Sequence, residues 1–166
     1  MESRQLSTRA RGFRLIELLV VLLLLTITIG IVGLNLGSND NERVRDESSR
    51  IAALLQTARD EAILQGRVLA IQFKPDGYLF LHVNEKGRLT PLDTDDTLRP
   101  RRLPEGMSLT VDIEGVPAES DAGLIFEPSG QLPAFVLTLR YGEAVWHTRN
   151  QDGRIRALSP EALHAG

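Results

Sequence analysis

Apolar residues fall along this chain in three successive rhythms. Across residues 15–34 they are almost continuous, Leu, Ile and Val with Glu17 as the one charge. Further on they return every three or four positions, at Val44, Ile51, Leu54, Leu55, Ala58, Ala62 and Ile63, leaving Arg45, Glu47, Arg50, Arg59 and Asp60 mainly on the other faces. That spacing is the period of an amphipathic helix, and Gly66 is a natural place for it to stop. Beyond Gly66 the pattern shortens to runs of strand length divided by turn residues. Strands are predicted over 67–74 and 78–84, joined by Pro75-Asp76-Gly77 and followed by the turn Glu85-Lys86-Gly87. Later strands are predicted over 108–113, 124–126, 135–141, 143–149 and 154–158, the last after the turn Gln151-Asp152-Gly153. Helix first and antiparallel sheet afterwards is an α+β arrangement. Residues 91–106, polar and holding Pro100 and Pro104, read as a long exposed loop.

The first block is the unusual one. At about 1.5 Å per residue its charge-free part, 18–34, makes roughly 26 Å of helix, slightly short of the roughly 30 Å hydrocarbon core of a bilayer. A soluble core helix shows a polar face, and 18–25 shows none at any period. The block is therefore expected to span a membrane. Past it, Gly33, Gly37 and Ser38-Asn39-Asp40-Asn41 weaken the helix and are expected to kink or locally unwind it.

Charge gives the span a direction. Residues 1–14 carry Arg4, Arg9, Arg11 and Arg14 against Glu2, a balance of +3, whereas the body beyond Glu17 carries −5. Positive residues ahead of an apolar span stay in the cytoplasm, so the body is expected to be exported to the periplasm. The chain has no cysteine, which removes disulfides, thiolate nucleophiles and thiolate metal sites from consideration. A conventional cleavable signal needs a small-x-small site after its apolar run, and Gly33-Leu34-Asn35-Leu36-Gly37-Ser38 fits that poorly. An uncleaved signal anchor accounts for the span but not for Glu17, which costs up to about 2.5–3.5 kcal/mol if drawn to the bilayer centre. Arg14, three residues earlier on the same helix face, is the nearest cation.

Arg11-Gly12-Phe13-Arg14-Leu15-Ile16-Glu17-Leu18-Leu19-Val20-Val21 resembles the signal of type IV pilins and type II secretion pseudopilins. The resemblance implies that a prepilin peptidase cuts after Gly12, that Phe13 is N-methylated, and that Glu17 becomes the fifth residue of the mature chain. Arg14 departs from the family, which usually has threonine there. The implied division is a leader over 1–12, a transmembrane and assembly helix over 13–36, its amphipathic half over 37–66, and a periplasmic β-rich domain over 67–166. Glycine ahead of the cut lets a protease approach the backbone closely, and keeping the apolar helix afterwards keeps the product anchored. Glu17 of one subunit would pair with the Phe13 amine of a neighbour, neutralising the buried charge only on assembly.

Leu124-Ile125-Phe126-Glu127-Pro128-Ser129-Gly130, then a strand, then Asp152-Gly153-Arg154-Ile155, resembles the C-terminal pattern of the H-type minor pseudopilins (general secretion pathway protein H) and the related FimT-like minor pilins. Together the two resemblances cover nearly the whole chain, least clearly over 85–123. They imply a pilin-like fold and no enzymatic activity. They imply also a role near the tip of a periplasmic pseudopilus that helps folded proteins cross the outer membrane. Implied partners are other minor and major pseudopilins, the prepilin peptidase, an inner-membrane assembly platform with its cytoplasmic ATPase, and the secretin and secreted substrates. The competing readings are a FimT-like type IV pilin serving DNA uptake or adhesion, and a signal-anchored periplasmic binding module that never polymerises.

Residues that suggest other chemistry give little support to it. His82, His147 and His164 are far apart and form no ligand pair, and no nucleophile-elbow, zincin or phosphate-loop motif occurs. No cofactor or metal is expected. Asp93-Thr94-Asp95-Asp96 gathers carboxylates but lacks the glycine and terminal glutamate of a calcium loop, so Asp93, Asp95 and Asp96 read as solvated. Arg99, Arg101 and Arg102 form one basic cluster and Arg140, Arg149, Arg154 and Arg156 another. In a net acidic domain with few aromatics these are expected to pair with nearby carboxylates, not to grip nucleic acid. Tyr141 and Trp146, on adjoining strands, are expected to pack on the core or a sheet face.

Overall fold

The structure, a computed structural model, describes residues 15–118, 122–151 and 153–164, the side chains of 27–38 and 164 excepted. The chain divides into two units, Met1–Leu36 and Gly37–Gly166. Helix α1 (Leu15–Gln65) opens the described residues. Its backbone is helical at Gly33 and Gly37 and through 38–41, so the expected unwinding is absent. Helix propagation is cooperative, and single glycines costing about 1 kcal/mol each are tolerated inside a long run. The helix ends where predicted, with Gly66 at φ +61°.

Ten strands follow among the described residues. They are β1 (Leu69–Lys74), β2 (Gly77–Val83), β3 (Leu89–Pro91), β4 (Arg101–Arg102), β5 (Met107–Ile113), β6 (Val116–Pro117), β7 (Gly123–Phe126), β8 (Phe135–Tyr141), β9 (Ala144–Gln151) and β10 (Arg154–Leu158). A short helix, α2 (Pro160–His164), comes last. The first sheet runs β3-β2-β1-β7, with β4 also on β2; the second runs β10-β9-β8-β5-β6. All pairings are antiparallel.

The seven predicted strands are all present. What the sequence did not announce are β3, β4, β6 and α2, each too short to carry a period. The β5 to β6 hairpin turns on Glu114 and Gly115, with φ of 55° and 81°. That is the two-residue turn with both central residues at positive φ, and glutamate there lacks the usual Asn or Asp signature. The expected loop over 91–106 is also partly inward: Leu98 and Leu103 are buried in the core, and Arg101–Arg102 pairs with Gly77 and Tyr78. Gly77 belongs to this contact. A Cβ on it would meet the Arg101 carbonyl oxygen at 2.2 Å, so β4 reaches β2 only because the residue is glycine.

One hydrophobic core joins the α1 residues Val44, Ile51, Leu54, Leu55, Ala58 and Ala62 to the inner faces of both sheets, including Ile71, Phe80 and Phe126 of the first and Leu109, Leu137 and Leu139 of the second. Two helix positions correct the prediction. Ile63 is exposed, because it lies about 100° round the helix from Ala62. Glu47, expected on a polar face, is only 5% exposed. It stands three residues after Val44 and four before Ile51, hence on the buried stripe. Its carboxylate is held there by Arg50 Nη1 at 2.5 Å and by the Tyr78 hydroxyl, which donates to Glu47 Oε1 at 3.4 Å. Burial first, and the Glu47 charge second, push the Tyr78 phenol well above its ordinary 10.0.

The same helix turn carries Ser48, fully buried with Thr148 of β9. The Ser48 and Thr148 hydroxyl oxygens lie 2.9 Å apart, and Thr148 Oγ1 donates to the Ser48 carbonyl at 3.2 Å. Removing either hydroxyl deletes their mutual bond, while Thr148 Oγ1 keeps the Ser48 carbonyl and Ser48 Oγ keeps the His147 carbonyl at 3.3 Å, so Ser48→Ala and Thr148→Val should each cost about 0.5–1.5 kcal/mol. The double variant should cost clearly less than the two added together, as read by urea denaturation of the four proteins in a cycle.

Tyr78 makes a separate prediction in alkali. A folded-state value raised above the unfolded one means that the associated stability is fully present below pH 10 and is lost as pH rises beyond it. The denaturation midpoint of the wild type should therefore fall more steeply between about pH 10 and 11.5 than that of Tyr78→Phe.

Candidate assembly surface

Of the residues predicted to mediate processing and assembly, Gly12 and Phe13 lie outside the described residues. Glu17 is described, in α1 and open to solvent. Around it, ten large apolar side chains between Leu15 and Leu25 are 44–82% exposed. Apolar surface on this scale is not left in contact with water by a settled protein. At roughly 1.5–3 kcal/mol for fully burying each side chain, covering even the exposed half gains on the order of 10 kcal/mol. That exceeds the roughly 2.5–3.5 kcal/mol cost of carrying one carboxylate along. The segment is thus driven into apolar surroundings with Glu17 attached, and the carboxylate then needs a cation. Thr26, the one polar side chain described beyond Glu17 in this block, satisfies its hydroxyl internally on the Leu23 carbonyl at 2.8 Å. Among the described residues no helix is long and apolar enough to cross a membrane; the described side chains of the apolar block stop at Thr26.

In the second unit, the C-terminal motif residues turn out to be tied to α1. Arg59 Nε donates to the Gly130 carbonyl at 2.7 Å, and its Nη1 donates to the Gly153 carbonyl. One guanidinium therefore holds both the Glu127-Pro128-Ser129-Gly130 turn and the turn that follows β9. Gly130 sits at φ +72°, where any side chain is strained, and a Cβ there would meet the tip of the Ile63 side chain at 2.8 Å. Gln56 Oε1 accepts from the Ile155 amide at 3.2 Å, which fixes β10 to the same helix. Farther up α1, Arg43 and Arg45 lie over the Tyr141 and Trp146 rings, each guanidinium carbon 6.0 Å from the ring centre. Tyr141 and Trp146 pack against the core, as expected. Arg59 could not be singled out beforehand, because a lone arginine on a helix face does not reveal carbonyl partners more than seventy residues away.

The other candidates separate. Asp95 Oδ1 accepts from the amides of Thr97 and Leu98, at 2.8 and 2.7 Å, and so serves its own loop. His147 Nδ1 lies 3.0 Å from Thr138 Oγ1, and His82 is partly buried on β2. Among the described residues no group of His, Asp and Glu is arranged to hold a metal. The two arginine clusters contradict the expected carboxylate pairing. Among the described residues the ion pairs are Arg50 with Glu47 and Arg67 with Glu61, neither from those clusters. Arg149 and Arg156 even stand directly opposite each other across β9 and β10. Arg149 instead donates to Gln151 Oε1 at 3.0 Å, and Arg101 to the Thr97 carbonyl at 3.5 Å.

If Arg59 is the tie between α1 and the two C-terminal turns, Arg59→Ala should destabilise the protein by about 1.5–3 kcal/mol. Arg59→Lys should recover little of it, since the donors of an ammonium diverge from one atom, whereas Arg59 reaches the two carbonyls from Nε and Nη1, separate corners of a planar fork. Thermal melts of the three proteins, with amide exchange at Gly130 and Gly153, measure both effects.

The comparisons agree with this arrangement. The family model described as Type II transport protein GspH matches residues 47–159, the span from the buried glutamate of α1 to the end of the second sheet. The type II secretion system protein H of Pseudomonas aeruginosa is 32% identical over 170 residues, covering 93% of this chain and 92% of that protein. That of Aeromonas hydrophila is 31% identical, covering 92% and 96%. Among solved structures, the minor pseudopilin EpsH of the Vibrio cholerae type 2 secretion system matches with a TM-score of 0.60 at 19% identity, covering 71% of this chain and 98% of that one. The solution structure of Escherichia coli GspH matches with a TM-score of 0.57 at 21% identity, covering 72% and 89%. At those identities the structures establish the pilin-like fold, and the sequence matches establish the kinship: the chain belongs to the GspH family of type II transport proteins.

Proposed function

We propose that this minor pseudopilin works by assembly. A prepilin peptidase removes residues 1–12 and methylates Phe13; the helix from Phe13 anchors the product in the inner membrane, with its C-terminal domain in the periplasm. An inner-membrane platform, driven by a cytoplasmic ATPase, then draws it into a short pseudopilus among other minor and major pseudopilins. Near the fibre tip it helps pass folded proteins through the outer-membrane secretin. The observation that carries this reading is the exposed apolar start of α1 with its single carboxylate. An anchor alone has no use for Glu17, whereas a fibre does: the Phe13 amine of a neighbouring subunit supplies the cation that the lipid cannot. Gly12, Phe13 and Glu17 are the residues on which the reading depends.

The experiment is the intact mass of membrane-extracted protein made with and without a prepilin peptidase. The expected product lacks residues 1–12 and carries one methyl group on Phe13. Glu17→Ala should be processed equally well yet fail to enter the fibre, with secretion falling at least tenfold. A chain that stays full length with the peptidase present, or a Glu17→Ala variant that secretes normally, overturns the proposal in favour of a signal-anchored module.

A further inference from the structure

The two sheets treat their outer faces differently. On the second sheet the residues alternating with the core are mostly polar, among them Ser108, Thr110, Thr138, Arg140 and Arg149, with Val136 and Val145 the apolar ones on β8 and β9, close to the pattern of an antiparallel sheet with one wet face. The first sheet departs from that pattern. Its core-facing Leu69, Ile71 and Phe73 pair with His82, Phe80 and Tyr78, so the intervening residues point the opposite way. On β2 those are Leu79, Leu81 and Val83. The register Val83 with Leu89 extends the face onto β3, and Ala70 with Ile125 extends it onto β7. Val83, Leu89 and Ile125 are 42%, 55% and 57% exposed. A one-residue slip cannot explain this, because both parities of β2 are apolar and the inner one is already in the core.

At one end the face becomes cationic. Lys74 is the last outer residue of β1, and Arg102 lies opposite Gly77 at the start of β2. With Asp76 they line a cavity of about 360 Å³ that Leu79 also borders. Two cations there face one carboxylate. Arg101 is set opposite the core-facing Tyr78 and so leans to the other side of the sheet.

We infer that the outer face of the first sheet docks a folded protein partner whose apolar patch ends in a carboxylate. The apolar part covers Leu79, Leu81, Val83 and Leu89, and the carboxylate enters the cavity between Lys74 and Arg102. Charge complementarity selects this occupant. A lipid surface would present a field of headgroups, whereas the cations are confined to one end and no Trp or Tyr lies on the outer face to mark an interface with lipid. A second copy would bring the same cations, and Glu127, the carboxylate next after Ile125, already accepts from Ser129 Oγ at 3.3 Å. The inference rests on the pseudopilin reading for the partner's identity, another subunit of the fibre.

The test places the photocrosslinker p-benzoylphenylalanine at Leu89 of the full chain, in cells with the complete secretion machinery, and at Thr110 on the second sheet as a control. The expected result is one adduct from position 89, on a fibre subunit, through a peptide containing apolar residues and Asp or Glu, and none from position 110. Lys74→Glu with Arg102→Glu should lower its yield at least tenfold without moving the melting temperature, and a Lys in place of the partner's carboxylate should restore it. An adduct of twice the chain's mass, a lipid adduct, an adduct unmoved by charge reversal, or none at all overturns the inference. A charge-sensitive adduct on a protein outside the fibre keeps the docking surface and overturns the fibre reading instead.

Discussion

One face of α1 has to serve two sheets at once, and most of the second unit follows from that demand. The stripe from Val44 to Ala62 contacts a core to which both sheets contribute, so neither sheet is closed without the helix. Ala52, Ala58 and Ala62 are the small residues of the buried stripe, and a larger side chain at the fully buried Ala58 would overpack the core. The two sheets form no common ladder, which leaves the shared core as what binds them.

Apolar contact is not directional, and a stripe of Leu, Ile and Ala would tolerate sliding along the helix. The polar ties remove that freedom. Glu47 meets Tyr78 of the first sheet while Ser48, the next residue, meets Thr148 of the second. Arg59 and Gln56, about three turns on, hold the turns and β10 at the far end. Each buried group loses water, and its net contribution to stability is modest. Its geometric contribution is larger: adjacent residues addressed to opposite sheets fix the rotation of α1, and ties three turns apart fix its translation.

The parts legible in the sequence were those with a period. The amphipathic half of α1, its end at Gly66 and seven strands came from spacing alone, and the family came from local motifs at the two ends of the chain. What escaped had no local signal. Glu47 was assigned to a polar face because charge suggested exposure, although its spacing from Val44 and Ile51 placed it on the stripe. β4 depends on Gly77 meeting a backbone twenty-four residues later, and Arg59 on carbonyls more distant still. The arginine clusters misled for a related reason: closeness to carboxylates in sequence is not closeness in a sheet, where register alone put Arg149 against Arg156. Gly12, Phe13 and Glu17 were singled out by the resemblance alone, and of the three the structure describes Glu17.

Two of the apolar surfaces exposed among the described residues, the start of α1 and the outer face of the first sheet, differ in how much they ask of whatever covers them. The start of α1 is apolar on every described side and carries one carboxylate. Any hydrocarbon medium meets most of its demand, and only the charge distinguishes lipid from a subunit that brings a cation. The outer face of the first sheet is flat, apolar on alternate residues, and cationic at one end, so its occupant must match in position as well as in polarity. Non-directional burial suits a surface that any apolar surroundings can cover. A face with a charged end suits selection, because a wrong partner, or the right one reversed, leaves Lys74 and Arg102 covered but unpaired, and a covered unpaired charge is costlier than an exposed one. A subunit that has to enter a fibre at one place among several similar chains needs both properties, and this chain keeps them on separate surfaces.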